Sequence, residues 1–206
     1  VKVNLNQKKK IITFVGRLNS SKGYDLFGNA IIRILKKFDD WSAYVFGDEP
    51  REKLLFHHKR LFKLGYQSNN KVLKLLKKTS IAVACSKWDE PFGRSSLEAS
   101  SRGCAVIISK RGGLPETITD GIILDKLNVN SLYLEIKKLI QMPKKLKKIQ
   151  SNSIKNFYLD NKFICNKIDT YRYKLINSFK HNNLNKKIKI LHITNFNERH
   201  NGRLFY

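Results

Sequence analysis

From residue 11 onward, short apolar runs alternate with segments whose apolar residues recur at three- and four-residue steps. Ile11–Val15 (IITFV), Ala43–Gly47 (AYVFG), Arg60–Gly65 (RLFKLG), Ile81–Ser86 (IAVACS), Ala105–Ser109 (AVIIS) and Gly121–Leu124 (GIIL) read as buried strands. Between them, Leu26, Ile31, Ile34 and Leu35 mark one helix, and Asn69–Lys78 (NNKVLKLLKK) a second. A further helix starts near Ser95, within the EPFGRSSLEA stretch, and PETITD gives a short helical turn. Strands alternating with helices at this spacing predict an α/β fold: a doubly wound, Rossmann-like parallel sheet covered on both faces. From about Ser131 the pattern is helical, and Ile164, Ile168, Tyr171 and Leu175 form one stripe at steps of four, three and four. His181–Lys187 then reads as a polar linker, and Ile188–Thr194 restarts a strand.

The chain length of 206 residues suits one domain and is short for two. Forty-one Lys and Arg against 16 Asp and Glu give a formal charge of +25, which raises the prospect of polyanionic partners. The lysines are scattered among Asn and Ile rather than gathered on one stripe, so a solvated basic surface explains them better than a nucleic-acid footprint. Cys85, Cys104 and Cys165 have no metal-binding spacing, and the first two sit inside apolar runs as small core residues. No apolar run approaches the roughly 18 residues that cross a bilayer. The expected location is cytoplasmic, with peripheral attachment at the inner membrane face left open.

Ligands of parallel sheets bind beyond the carboxyl ends of the strands, where loops lead into helix N-termini. Three loops there carry candidate chemistry. Val15–Gly23 (VGRLNSSKG) follows the first strand, and Arg17 and Lys22 can converge on a diphosphate; neither a Walker loop nor G-x-G-x-x-G occurs in the chain. Glu90–Ala99 (EPFGRSSLEA) follows the fourth strand. Gly93 lets a ligand approach the backbone, and Glu98 offers two oxygens to a ribose cis-diol. Ser95-Ser96-Leu97-Glu98 is equally a capping box, with Glu98 turned back on the helix start. Lys110–Thr117 (KRGGLPET) places Gly112-Gly113 and Pro115 at another strand-to-helix junction.

The ordered set Gly16-Arg17-Leu18 with Lys22-Gly23, then EPFGRSSLEA, then GGLPE, then DGIIL resembles the donor-binding, C-terminal half of retaining glycosyltransferases of the GT-B fold, family 4. The resemblance covers about residues 8 to 180, and Glu90 to Glu98 match the E-x7-E signature. It implies a nucleotide-diphosphate sugar as donor, held at Gly16, Arg17, Lys22, Phe92, Gly93, Arg94 and Glu98. Arg17 and Lys22 would hold the diphosphate, and Glu98 the ribose hydroxyls. Glu90, beside the backbone of Phe92, Gly93 and Arg94, would attend the sugar, so that Glu90, Arg17 and Lys22 carry the catalysis. Transfer with retention, of hexosyl type and in cell-surface glycan synthesis, follows from the resemblance alone. D-x-D is absent, so no metal is expected, and fixed cations with helix-end amides would neutralise the leaving diphosphate.

Two departures stand out. Cys85 occupies a position where proline is common in such enzymes. The acceptor half, an N-terminal domain in these enzymes, is missing, while residues 188–206 resemble the start of just such a domain. The expected organisation is a donor-binding domain over 8–180, a linker over 181–187 and a truncated second domain over 188–206, with poor activity in the isolated chain. A catalytically inactive nucleotide-binding domain and a basic nucleic-acid module remain the alternatives.

Overall fold

The computed structural model describes residues 3–182. By its contacts the chain divides into two units, Val1–Asp160 and Asn161–Tyr206. In the first, β1 (Lys9–Val15), β2 (Ser42–Phe46), β3 (Leu61–Lys63), β4 (Thr79–Ala84), β5 (Ala105–Ser109) and β6 (Ile122–Leu124) form one sheet. Every pairing is parallel, in the order β3-β2-β1-β4-β5-β6. Such a sheet winds outward in both directions from β1, and the reversal between β1 and β4 opens a crevice at the strands' carboxyl ends.

The helices of this unit are α1 (Tyr24–Lys37), α2 (Asn69–Lys78), α3 (Arg94–Ser100), α4 (Val129–Gln141) and α5 (Pro143–Lys155). Because neighbouring strand residues point to opposite faces, Ile81, Val83 and Ile107 join Ile31, Ile34, Leu35, Ile136 and Leu139 in one core. Ala82, Val106 and Ile108 join Val72, Leu76 and Ala99 in the other. This two-sided burial is why the strands read as unbroken apolar runs instead of alternating ones. Each fully buried Leu or Ile adds about 2 kcal/mol.

Several boundaries differ from the sequence reading for local reasons. β4 ends at Ala84, because the Ser86 hydroxyl donates to the carbonyls of Ser21 (3.1 Å) and Trp88 (3.0 Å) and turns the chain out of the sheet. The helical region after β6 starts at Val129, where the Asn128 side chain accepts the Ser131 N–H (2.8 Å). It is broken at Pro143, which lacks the N–H to continue α4 but suits the first turn of α5. The PETITD helix is a single 3₁₀ turn, Leu114–Thr117.

In the second unit, α6 (Asn161–Asn182) carries the predicted stripe, and Ile164, Ile168, Tyr171 and Leu175 are all exposed on it. The helix includes His181 and Asn182, the first two positions of the expected linker. The remaining linker and the expected second-domain segment, 183–206, lie outside the described residues.

Candidate functional site

At the crevice between β1 and β4 lies a cavity of about 480 Å³. Its lining draws on all three candidate loops and on α2: Gly16 and Lys22, then Glu90 through Ser95 with Glu98, then Leu114, and Asn69. Of the residues singled out in the sequence, Gly16, Lys22, Glu90, Phe92, Gly93, Arg94 and Glu98 are thus brought together. Arg17 is not among the lining residues; its side chain is exposed, so the expected convergence of two cations is met by Lys22 alone.

Lys22 reaches across the crevice to Glu90, Nζ to Oε1 at 2.5 Å, with the carboxylate side chain only 13% exposed and the lysine 31%. Shielded from water, the pair attracts more strongly than an open surface pair. Its geometry is set from behind. The Asn19 side chain accepts the Lys22 backbone N–H at 3.0 Å and donates to Glu49 Oε2 at 3.2 Å. Buried Glu49 also receives Arg51 Nε (2.8 Å) and Nη2 (3.1 Å), and these bonds, the Arg51 ones foremost, hold its carboxyl down at about 2. Glu52 meanwhile accepts the Ser20 N–H at 3.1 and 3.2 Å and its hydroxyl. The first loop is therefore clamped by two carboxylates from the segment after β2. No motif marks Glu49 and Glu52 in the sequence; only an acid cluster following a strand end hints at them.

Cys85, the residue after β4, donates its thiol to the Gly23 carbonyl at 3.2 Å. Burial pushes that thiol up to about 12, so it acts as packing and not as a nucleophile.

The Glu90 loop is held from its other side. Gly113 N–H donates to the Glu90 carbonyl at 2.7 Å, and a Cβ at Gly112 would lie 2.2 Å from that same oxygen. The glycine pair thus provides a close seat for the Glu90 backbone.

Gly93, at φ +93°, is the N-cap of α3, and no side chain caps the helix. This overturns the capping-box reading: Ser95 already lies inside the helix, and Ser96, the next residue, donates its hydroxyl to the Gly93 carbonyl at 2.7 Å. The first helical bond runs from Leu97 N–H to Gly93 (3.3 Å), so the amides before it have no partner in the helix and face the loop end. Glu98 turns away from the cap. Its Oε1 accepts Asn69 Nδ2 at 2.9 Å and lies 3.6 Å from Arg94 Nη2. Asn69 went unread because a single amide at a helix start carries no pattern; only the fold places it opposite Glu98.

An ammonium, a row of open amides and two carboxylates around one cavity suit a ligand that carries both an anionic group and polar hydroxyls. Among the described residues, no group of three or more His, Cys, Asp or Glu could hold a metal ion, and no helix is long and apolar enough to cross a membrane.

Comparison with known proteins agrees with this geometry. Residues 1–156 match the family model described as glycosyl transferases group 1. Spore coat protein SA of Bacillus subtilis is 31% identical over 126 residues, 55% of this chain and 33% of that protein. Lipopolysaccharide core biosynthesis mannosyltransferase LpsB of Rhizobium meliloti is 30% identical over 131 residues, 58% and 36% respectively. The chain spans about a third of the length of these relatives. Among solved structures, the C-terminal domain of the glycosyl transferase group 1 family protein LpcC from Francisella tularensis superposes with a TM-score of 0.63 at 28% identity, covering 72% of this chain and 84% of that one. Anabaena HepE, solved in complex with UDP-glucose, shares the fold at a TM-score of 0.61 and 21% identity, covering 71% and 43%. With its parallel sheet, its crevice at the strand reversal and a family match over most of its length, the chain belongs to the glycosyl transferases group 1 family, as a domain like those that form the C-terminal half of GT-B glycosyltransferases.

Proposed function

We propose that this domain binds a nucleotide-diphosphate sugar and serves a retaining, metal-independent hexosyl transfer in glycan synthesis, with the acceptor held by a separate N-terminal domain. The observation that carries the reading is the joint placement of Lys22, Glu90, the α3 amides and Glu98 around one cavity. In this reading Lys22 and the amides at Phe92, Gly93 and Arg94 neutralise the diphosphate, so charge building on the leaving group meets fixed donors that need no reorganisation. Glu90, already on the Lys22 ammonium, lies where the sugar meets the phosphate and orients it. Glu98 receives the ribose hydroxyls at the far end. Arg17, exposed beside Gly16, supplies long-range attraction for the anionic donor more than a fixed contact.

Calorimetry of the 206-residue chain with UDP-, GDP- and ADP-sugars tests this. Binding of at least one is expected, undiminished by EDTA and strongly reduced by Lys22→Ala. A folded chain that binds none of them refutes the reading. Binding abolished by EDTA and restored by Mg²⁺ or Mn²⁺ refutes its metal-free part.

A further inference from the structure

We infer that Asn69 is a positioning residue: it pins the carboxylate of Glu98 so that the cavity selects ribonucleotides over their deoxy counterparts. The inference rests on the nucleotide-sugar reading and adds to it a residue from a separate βα unit.

Glu98 belongs to α3 and Asn69 to the first turn of α2, 29 positions earlier, and both line the same cavity. Asn69 Nδ2 donates to Glu98 Oε1 at 2.9 Å. A glutamate side chain rotates about three bonds, and its terminal carboxylate torsion is broad, so an unrestrained Glu98 would meet a diol in many orientations. With Oε1 held by Asn69, the carboxylate plane is fixed. Oε2, which takes no hydrogen bond among the described residues, is the oxygen presented to the ligand. Arg94, 3.6 Å from Oε1, is too distant to set that orientation alone. Nor is the Asn69 amide spent on its own helix: Ser68 is the N-cap, and its side chain makes no cap bond either.

Positioning of this kind leaves a signature that simple stabilisation does not. Loss of Asn69 should weaken only the part of binding that passes through the ribose hydroxyls. The expectation for Asn69→Ala is a fall in nucleoside diphosphate affinity of about three- to tenfold, the weight of one hydrogen bond to a charged group at a partly solvated site. Affinity for the matching 2′,3′-dideoxynucleoside diphosphate should change by less than about twofold. Asn69→Asp, which sets a second carboxylate against Glu98, should fall further than Asn69→Ala. In a Glu98→Ala background, Asn69→Ala should have no further effect, because the group it orients is gone.

The experiment titrates the full chain and its Asn69→Ala, Asn69→Asp, Glu98→Ala and double variants with UDP, GDP and ADP and with their 2′,3′-dideoxy forms. The wild-type ratio of ribo to dideoxy affinity is the readout. Collapse of that ratio in Asn69→Ala, with non-additivity in the double variant, supports the inference. If the wild type favours the ribonucleotide but Asn69→Ala weakens both forms equally, Asn69 is a general wall residue and this inference alone is overturned. A wild-type chain that binds none of the nucleotides overturns the nucleotide-sugar reading and the inference together.

Discussion

Replacing Gly112 by alanine tests how the Glu90 loop is held, and Gly65 provides the matched control. Both glycines sit in the left-handed region, at φ +51° and +62°. An alanine at either position therefore carries a similar backbone cost of about 1–2 kcal/mol. At Gly65 an added Cβ meets nothing within 4 Å. At Gly112 it would lie 2.2 Å from the Glu90 carbonyl oxygen and 2.6 Å from the Glu90 nitrogen. Those atoms are backbone and cannot rotate aside, so the Glu90 segment itself must move. Overpacking of this sort adds about 1–3 kcal/mol. With a melting shift of about 2–4 °C per kcal/mol for a chain of this size, Gly65→Ala should lower Tm by a few degrees and Gly112→Ala by about twice as much. The functional contrast is sharper. Moving Glu90 breaks its 2.5 Å pairing with Lys22, so Gly112→Ala should lose nucleotide-sugar affinity while Gly65→Ala retains it. Differential scanning calorimetry and isothermal titration of the two variants give both numbers. Equal Tm losses, or equal affinities, would mean that the loop adjusts freely and that Gly112 does not seat Glu90.

Other expectations follow from the same geometry. Lys22→Ala should cost much more nucleotide-sugar affinity than Arg17→Ala at 0.5 M salt, because the exposed Arg17 is screened and the partly shielded Lys22 is not; equal losses would return Arg17 to the diphosphate. Glu98→Gln should weaken nucleotide binding with little change in Tm, since Glu98 caps no helix, and a Tm loss with unchanged affinity would reverse that assignment. Glu49 lies at about 2 in the folded chain against 4.5 ordinarily, so its contribution to stability is complete above about 4.5 and is lost as the pH falls towards 2. Glu49→Gln should flatten acid unfolding in that window, and unchanged curves would show that the clamp contributes nothing. Cys165 is exposed while Cys85 and Cys104 are buried with their thiols pushed up, so iodoacetamide should label one thiol in the native chain and three after unfolding.

What could be read from the chain and what could not divide along a physical line. Strands buried on both faces leave uninterrupted apolar runs, so β1, β2, β4 and β5 were visible, and their connection lengths dictated parallel pairing. Helix starts were less visible, because α1 and α3 begin after left-handed glycines and use no capping side chain, whereas S-x-x-E suggested one. The loop residues that face the cavity were legible because glycine, lysine and glutamate at strand ends are unusual enough to notice. Arg17 was read as Lys22's partner because nothing in the sequence distinguishes a cation that turns inward from one that turns to solvent.

The supporting residues share one property: each acts on another residue and not on the cavity alone. Asn19 and Glu49 hold the Lys22 backbone, Gly112 and Gly113 seat Glu90, and Asn69 holds Glu98. Apart from the local Asn19–Lys22 turn, three positions apart, their partners lie between 22 and 30 positions away, at separations fixed by the sheet order and by no local spacing rule. Such contacts are individually small, a hydrogen bond or a glycine's missing methylene, yet they decide whether Lys22, Glu90 and Glu98 are rigid or diffuse. A site that stabilises charge by preorganised groups depends on that rigidity, because any reorientation needed at the moment of bond breaking is subtracted from the stabilisation it supplies. Variants of the supporting residues should therefore alter binding and transfer while leaving every candidate catalytic side chain in place.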